Sequence, residues 1–304
     1  MKLSVVVPTY NRAEILRVCL RCLTEQTLSR DRFEVLVVDD GSDDHTRQVV
    51  TAFESDLHIR YLRQPENRGR AAARNRGIRE AAGEVVVFVD SDVFPTPGFL
   101  RAHADVHARG ERVVGRGPLI LTDRADGRFA RGRLMRDASP AFLDTANASV
   151  RRSHLLAAGG FDEGFRRYGW EDVDLGIRLR RLGLRRVFSA RALAYHYQPA
   201  PSAAALPALL HKEEERAGTA VRFLRKHPGW ASRMVVQLTP LHGAVVQVMT
   251  LGGVVNERTL PGILQRVGNR FLRHLLLRGV LNRHYLKVLR REWNRTATVR
   301  ATQM

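Results

Sequence analysis

Cysteine is nearly absent from this 304-residue chain, with Cys19 and Cys22 its only two. They supply no disulfide framework, and a reducing compartment is the default expectation. The pair forms a C-x-x-C, but within RAEILRVCLRCLTEQ (12–26), which reads as the middle of an amphipathic helix. Redox or zinc chemistry would want a helix start or two further ligands, so core packing is expected. A leader-like apolar run is also missing: only three valines precede Pro8, against the ~7–15 residues of a secretory core region. The cytoplasm is the expected compartment. Acidic charge is scarce late in the chain, where residues from 200 onward hold 17 Lys+Arg against 5 Asp+Glu, or +12 of a total +19. An excess concentrated in one region points to a polyanionic partner such as a membrane surface or nucleic acid.

With 44% hydrophobic residues the chain can bury a sizeable core. Short β-branched runs at 3–7, 34–38, 58–62 and 84–89 alternate with helical spacing over 12–26, 43–55 and 70–82. That rhythm predicts βαβ units, and hence an α/β fold: a mostly parallel sheet sandwiched by helices. Ligands of such sheets bind outside the carboxyl ends of the strands. The four runs lead into PTYNR, DDGSDD, QPENRGRAAARN and DSD. One polar end would be an ordinary loop; four on one rim make a candidate site.

The stretch VVVFVDSDVF (85–94) is the most pointed of these, because a buried apolar strand ends in Asp90 and Asp92. Two carboxylates at a strand mouth are stable when they share a divalent cation. A hard ion such as Mg2+ or Mn2+ favours one or two carboxylates plus phosphate oxygens, which suggests a nucleoside diphosphate as co-ligand. D-x-D after a strand also occurs in haloacid-dehalogenase-like phosphatases, where the first Asp is a nucleophile and a downstream lysine is required. Beyond Asp92 the lysines are Lys212, Lys226 and Lys287, all in the late basic region, which weakens that alternative.

SVVVPTYNR (4–12), VLVVDDGSDDHT (35–46), NRGRAAARNRGI (67–78) and VVFVDSDV (86–93) together resemble family 2 nucleotide-sugar glycosyltransferases of GT-A fold. ANASVRRSHLLAAGGFDEGFRRYGWEDVDLGIRLRRLG (146–183) resembles that family's acceptor-side half, with a galactosyltransferase-like WEDVDL. The resemblance covers about residues 3–197 and implies a metal-dependent, inverting hexosyl transfer from a nucleotide sugar, with a UDP-sugar first in line. By it, Pro8, Thr9 and Asn11 line the nucleotide pocket. Asp40 accepts a hydrogen bond from the base, and Asp39 sits beside base or ribose. Gly69 permits close backbone approach, and Arg70 and Arg74 meet base or phosphates. Asp90 contacts the ribose and a metal-bound water, Asp92 ligates Mn2+ or Mg2+ directly, and His196 completes the metal site. Asp172 is the implied general base and Glu171 the holder of an acceptor hydroxyl, with the order reversible. Trp170 offers an apolar face for a sugar ring.

The expected organisation is a catalytic domain over 1–200 and a basic, helical extension over 201–304. Residues 234–255 carry no charged side chain, yet Pro240, His242 and three glycines make a poor membrane span. An interfacial or a buried segment is the better expectation there. Basic residues at helical spacing over 266–293 suit an anionic membrane as well as a solvated helix face. The expected partners are a nucleotide-sugar donor, a glycan or lipid-linked acceptor and an anionic membrane surface at the inner leaflet, with no nucleic acid. A rival of another class is a non-catalytic polyanion- or membrane-binding scaffold on a degenerate transferase fold. Loops 118–145 and the extension are expected to choose the acceptor.

Overall fold

A computed structural model describes residues 1–126, 141–199 and 203–302. Part of the 118–145 stretch expected to choose the acceptor, 127–140, lies outside the described residues. The chain divides into two compact units, one of Met1–Arg166 with Glu171–Pro199 and one of Arg167–Trp170 with Ala200–Met304.

In the first unit the order is β1 (Leu3–Thr9), α1 (Ala13–Thr24), β2 (Phe33–Asp39), α2 (Thr46–Thr51), β3 (Ile59–Arg63), α3 (Arg70–Glu80), β4 (Val85–Phe88), β5 (Val93–Pro95) and α4 (Phe99–Ala108). Then come β6 (Val113–Arg116), β7 (Leu119–Thr122), β8 (Ala148–Arg151), α5 (Arg152–Ala157), α6 (Glu171–Arg181), β9 (Arg185–Phe188) and β10 (Ala194–Tyr197). A seven-stranded sheet runs β3-β2-β1-β4-β8-β6-β9, and a three-stranded sheet runs β5-β10-β7. β1 pairs in parallel with β2 and β4, and β2 with β3, while β8 lies antiparallel between β4 and β6.

The valine runs explain this architecture. Side chains alternate between faces along a strand, and here both faces are covered. Val5, Val7, Val35, Val37, Val85 and Val87 pack with Leu16, Leu20 and Val49 from α1 and α2. Val6, Leu36, Val38, Val86 and Phe88 pack with Ile78, Leu175 and Leu179 from α3 and α6. A strand buried on both sides reads as continuous apolar sequence, which is the signature of a helix-covered parallel sheet. Cys19 and Cys22 are buried in this core as free thiols; burial pushes Cys22 up to about 12, so neither reactivity nor metal binding is favoured at neutral pH.

The second unit holds α7 (Leu206–Lys226), α8 (Trp230–Val235), α9 (Pro240–Met249), α10 (Leu260–Arg266) and α11 (Arg270–Thr302). Leu206, Leu260, Leu264, Leu277 and Val280 form its apolar centre. The uncharged 234–255 segment is no single helix: it breaks around Gln237, whose φ is +64°, and again at Gly252 and Gly253. Among the described residues no helix is long and apolar enough to cross a membrane.

Candidate active site

β1, β2 and β4 deliver their carboxyl ends to one rim because they are parallel and in register, with Thr9 beside Asp39 and Val6 beside Phe88. Pro8, on β1, pairs with Val38. The Oγ1 of Thr9 is buried without a hydrogen-bond partner, an unmet polar atom that suits a ligand. Asn11 adopts a left-handed φ of +49°. Its side-chain oxygen accepts from Asp43 N at 2.9 Å and its own N–H donates to Ser42 Oγ at 2.9 Å, which ties the first loop to the second.

The two aspartates at the end of β2 are builders of loops. Asp39 is fully buried and accepts from Ser42 N at 2.9 Å, from Ser42 Oγ and from the Tyr61 hydroxyl. Asp40 accepts from Arg68 N and Gly69 N, both at 2.8 Å, and from Gln64 Nε2. Asp39 thus ties the 42 turn to β3, and Asp40 holds the 64–69 segment against the sheet edge. At Gly69 φ is +89°, and a Cβ would stand 2.5 Å from the Arg166 carbonyl oxygen, so only glycine fits.

Gly69 leads directly into α3, whose Arg74 is the hub of the site. This side chain is 1% exposed, with Nη2 at 2.8 Å from Asp90 Oδ1 and Nη1 at 2.9 Å from Glu171 Oε1. It is thus paired with two carboxylates. Burial acts to raise Asp90, but Arg74 overrides it, with Arg70 and His196 adding, and the carboxyl is held at about 2. Arg70 itself is exposed at the first residue of α3.

Asp92 faces other partners. Its Oδ2 accepts from Arg12 Nη1 at 2.5 Å, and its Oδ1 lies 3.7 Å from His196 Nε2. His196 is brought there by β10, which pairs antiparallel with β5 so that Tyr197 N donates to the Asp92 carbonyl at 2.8 Å. Arg12 was not singled out in the sequence, although it closes the PTYNR motif. Among the described residues no group of three or more His, Cys, Asp or Glu side chains is gathered for a metal. One carboxylate and one imidazole side by side do fit a hard divalent ion that draws its remaining ligands from phosphate and water. Asp90, locked to Arg74, fits a direct ligand less well.

Glu171 and Asp172 open α6, where carboxylates complement the helix dipole. Glu171 is buried; its Oε1 takes Arg74, and its Oε2 has no hydrogen-bond partner. Asp172 accepts from Val173 N at 2.7 Å. Burial, then the neighbouring Glu171 and Asp144, push its carboxyl up to about 8. A carboxylate following β4 and a carboxylate opening α6 thus share one guanidinium, next to a carboxyl whose proton is easily exchanged near neutral pH. Trp170 is not part of this cluster. It belongs to the second unit, buried against Phe223 and under Arg216, with Nε1 donating to the Arg216 carbonyl at 2.9 Å. The open stacking face expected of it is taken by protein.

Comparison with known proteins agrees with this architecture. An uncharacterized glycosyltransferase of Bacillus subtilis (strain 168), YfnE, is 31% identical over 244 residues, covering 60% of this chain and 62% of that protein. Validoxylamine A glucosyltransferase of Streptomyces hygroscopicus subsp. jinggangensis is 31% identical over 299 residues, covering 84% of this chain and 66% of that protein. The chain therefore spans less than two thirds of the length of these relatives. A mannosyltransferase of Pyrobaculum calidifontis, solved with GDP-Man and Mn2+, superposes with a TM-score of 0.59 at 19% identity, covering 91% of this chain and 85% of that one. The fold is GT-A. The family model described as glycosyl transferase family 2 matches residues 4–167, more than half of the chain, and the chain belongs to that family.

Proposed function

We propose that this family 2 glycosyltransferase moves a sugar from a nucleoside-diphosphate sugar to an acceptor hydroxyl with inversion at the anomeric carbon. The observation that carries the reading is the Asp90–Arg74–Glu171 bridge beside Asp172, which joins a donor end and an acceptor end through one buried cation. Asp172 takes the proton of the incoming hydroxyl. The new C1–O bond forms as the bond from C1 to the diphosphate oxygen breaks, and the nucleoside diphosphate leaves with the electron pair. One displacement with one base gives inversion. A carboxyl held near 8 is well matched to a hydroxyl proton at neutral pH. Glu171, through its open Oε2, receives an acceptor hydroxyl, and Arg74 keeps it aligned with Asp90.

Asp92 and His196 are the residues that would hold a divalent cation, which when bound supplies electrostatic stabilisation of the departing diphosphate. Mn2+ in the Pyrobaculum structure supports this choice. A UDP-sugar is the first donor to try, with GDP- and dTDP-sugars beside it, since Asp39 and Asp40 are engaged internally. A glycan or lipid-linked hydroxyl is the proposed acceptor. The phosphatase alternative needs Asp90 as a nucleophile, and its Oδ1 is bound by Arg74. The scaffold alternative has no use for an acid held near 8 beside a bridged carboxylate pair.

The test is nucleoside-diphosphate release from a panel of sugar nucleotides with Mn2+ and candidate acceptors, followed by NMR of the product anomer. Expected is acceptor-stimulated release from one donor, an inverted product and turnover by Asp172→Asn lowered by about 10²–10⁴-fold. Release that is equal in wild type and Asp172→Asn would end the proposal.

A further inference from the structure

The second unit contains a cavity of about 630 Å³ between α9, the 253–258 turn and α11, a size that suits a small ligand. Arg258, Arg283, Lys287 and Arg290 line it, and Glu257 is the one carboxylate among its lining residues. That carboxylate already lies 3.4 Å from His284 Nδ1. Arg283, Lys287 and Arg290 fall at i, i+4 and i+7 on α11, so they share a helix face. Arg258, Lys287 and Arg290 have no carboxylate partner among the described residues.

Two glycines make room for these guanidinium groups. A Cβ on Gly253, whose φ is +100°, would stand 2.8 Å from Arg283 Nη2, and one on Gly243 would stand 3.1 Å from Arg290 Nη2. Arg283 also donates to the Gly253 carbonyl at 3.1 Å. Arg283 is thus seated on the Gly253 turn, while Arg258, Lys287 and Arg290 are exposed at the cavity and open to a ligand. Beside the cavity α9 turns apolar residues outward: Leu241, Val245 and Val248 repeat at helical spacing, and Leu251 and Val254 follow. Val248 is 76% exposed, Val254 67% and Leu251 65%. Such a stripe next to lining residues Gly243, Val246 and Gln247 is an interaction surface, because isolated exposed side chains do not line up in this way.

We propose that this cavity binds the phosphate headgroup of an anionic lipid, with the Val245–Val248–Leu251–Val254 stripe entering the acyl boundary. Charge complementarity selects the anion, since four cations face one carboxylate already engaged by a histidine. The apolar stripe selects an amphiphile over a soluble anion. The site is independent of the transfer chemistry: no residue assigned to the donor or acceptor takes part in it.

The test is co-sedimentation of the full chain with vesicles of phosphatidic acid in phosphatidylcholine, against phosphatidylcholine alone, with thermal melts to confirm folding. The wild type is expected to bind only the anionic vesicles. Lys287→Gln/Arg290→Gln is expected to weaken binding about thirtyfold, the effect of two basic side chains at an anionic surface. Val248→Glu is expected to weaken it by about tenfold or more. Arg225→Gln/Arg233→Gln removes the same charge from exposed positions outside the cavity and is expected to change binding by less than about threefold. An equal loss in that control would overturn the site in favour of diffuse charge. Displacement by inorganic pyrophosphate, with Val248→Glu binding as wild type, would overturn the lipid in favour of a soluble anion.

Discussion

In the first unit the arginines that matter are closed in by carboxylates. Arg74 lies between Asp90 and Glu171, Arg116 is 3.0 Å from Asp144, and Arg178 is 2.6 Å from Asp174. In the second unit Arg258, Lys287 and Arg290 face a cavity whose single carboxylate is turned to a histidine. A cation sealed by carboxylates fixes the shape of a site, whereas a cation left facing open space keeps its charge for a ligand. The same residue type thus builds in one unit and receives in the other, and net charge alone does not tell these uses apart.

The largest effect should come from the group the builders surround. Asp172→Asn is expected to lower kcat by about 10²–10⁴-fold in the transfer assay, yet to raise stability at pH 8. The ordinary aspartate value of 3.8 is raised to about 8 in the fold. The folded state therefore holds an extra proton between those values, and the Asp172 carboxyl erodes stability as pH rises through that window. A rise in Tm of about 2–4 °C, corresponding to ~1 kcal/mol, is expected by scanning calorimetry at pH 8. An unchanged or lower Tm would contradict the half-buried, carboxylate-crowded setting of Asp172.

Removing a builder comes next. Arg74→Met leaves Asp90 and Glu171 without their shared cation and is expected to cost about 3–5 kcal/mol in denaturant melts. Adding Glu171→Gln should recover part of that loss, since one of the stranded charges goes with it. The pH profile of kcat/KM sharpens the picture further. On the acid side it should rise about tenfold per pH unit and level off near 8, where the free enzyme's base ionises. A plateau already reached at pH 5 would exclude Asp172 as the base. The smallest effect belongs to a receiver: Arg290→Gln is expected to shift stability by no more than ~0.5 kcal/mol. A loss as large as that of Arg74→Met would erase the contrast between the units.

Much of this was legible in sequence, and the physical reason is locality. Apolar runs of three to five residues set the strands, helical spacing set α1, α2 and α3, and parallel pairing then had to bring PTYNR, DDGSDD and DSD to one rim. What sequence could not show is which polar partner each side chain would find. Arg74 and Glu171 are 97 residues apart and meet only through the packing of α3 and α6 on one sheet face. The partners of Asp40, the N–H groups of Arg68 and Gly69, are backbone atoms that carry no sequence signal. Trp170 was expected to offer an apolar face to a sugar ring, and in the structure it packs on Phe223 with a φ of +74°. Arg12 carried a readable signal, as the basic end of the first motif. The three-stranded sheet that carries His196 was not foreseen, since β5 and β7 are only 3 and 4 residues long.

The most direct measurement is calorimetric titration of UDP, GDP and dTDP into the wild type, Asp92→Ala and Asp172→Asn, each with and without Mn2+. The account predicts that one nucleotide binds the wild type in a metal-dependent way, that Asp92→Ala loses this binding, and that Asp172→Asn keeps it. No binding of any of the three, or binding by Asp92→Ala that still depends on Mn2+, would contradict the assignment of Asp92 to a diphosphate-bound cation.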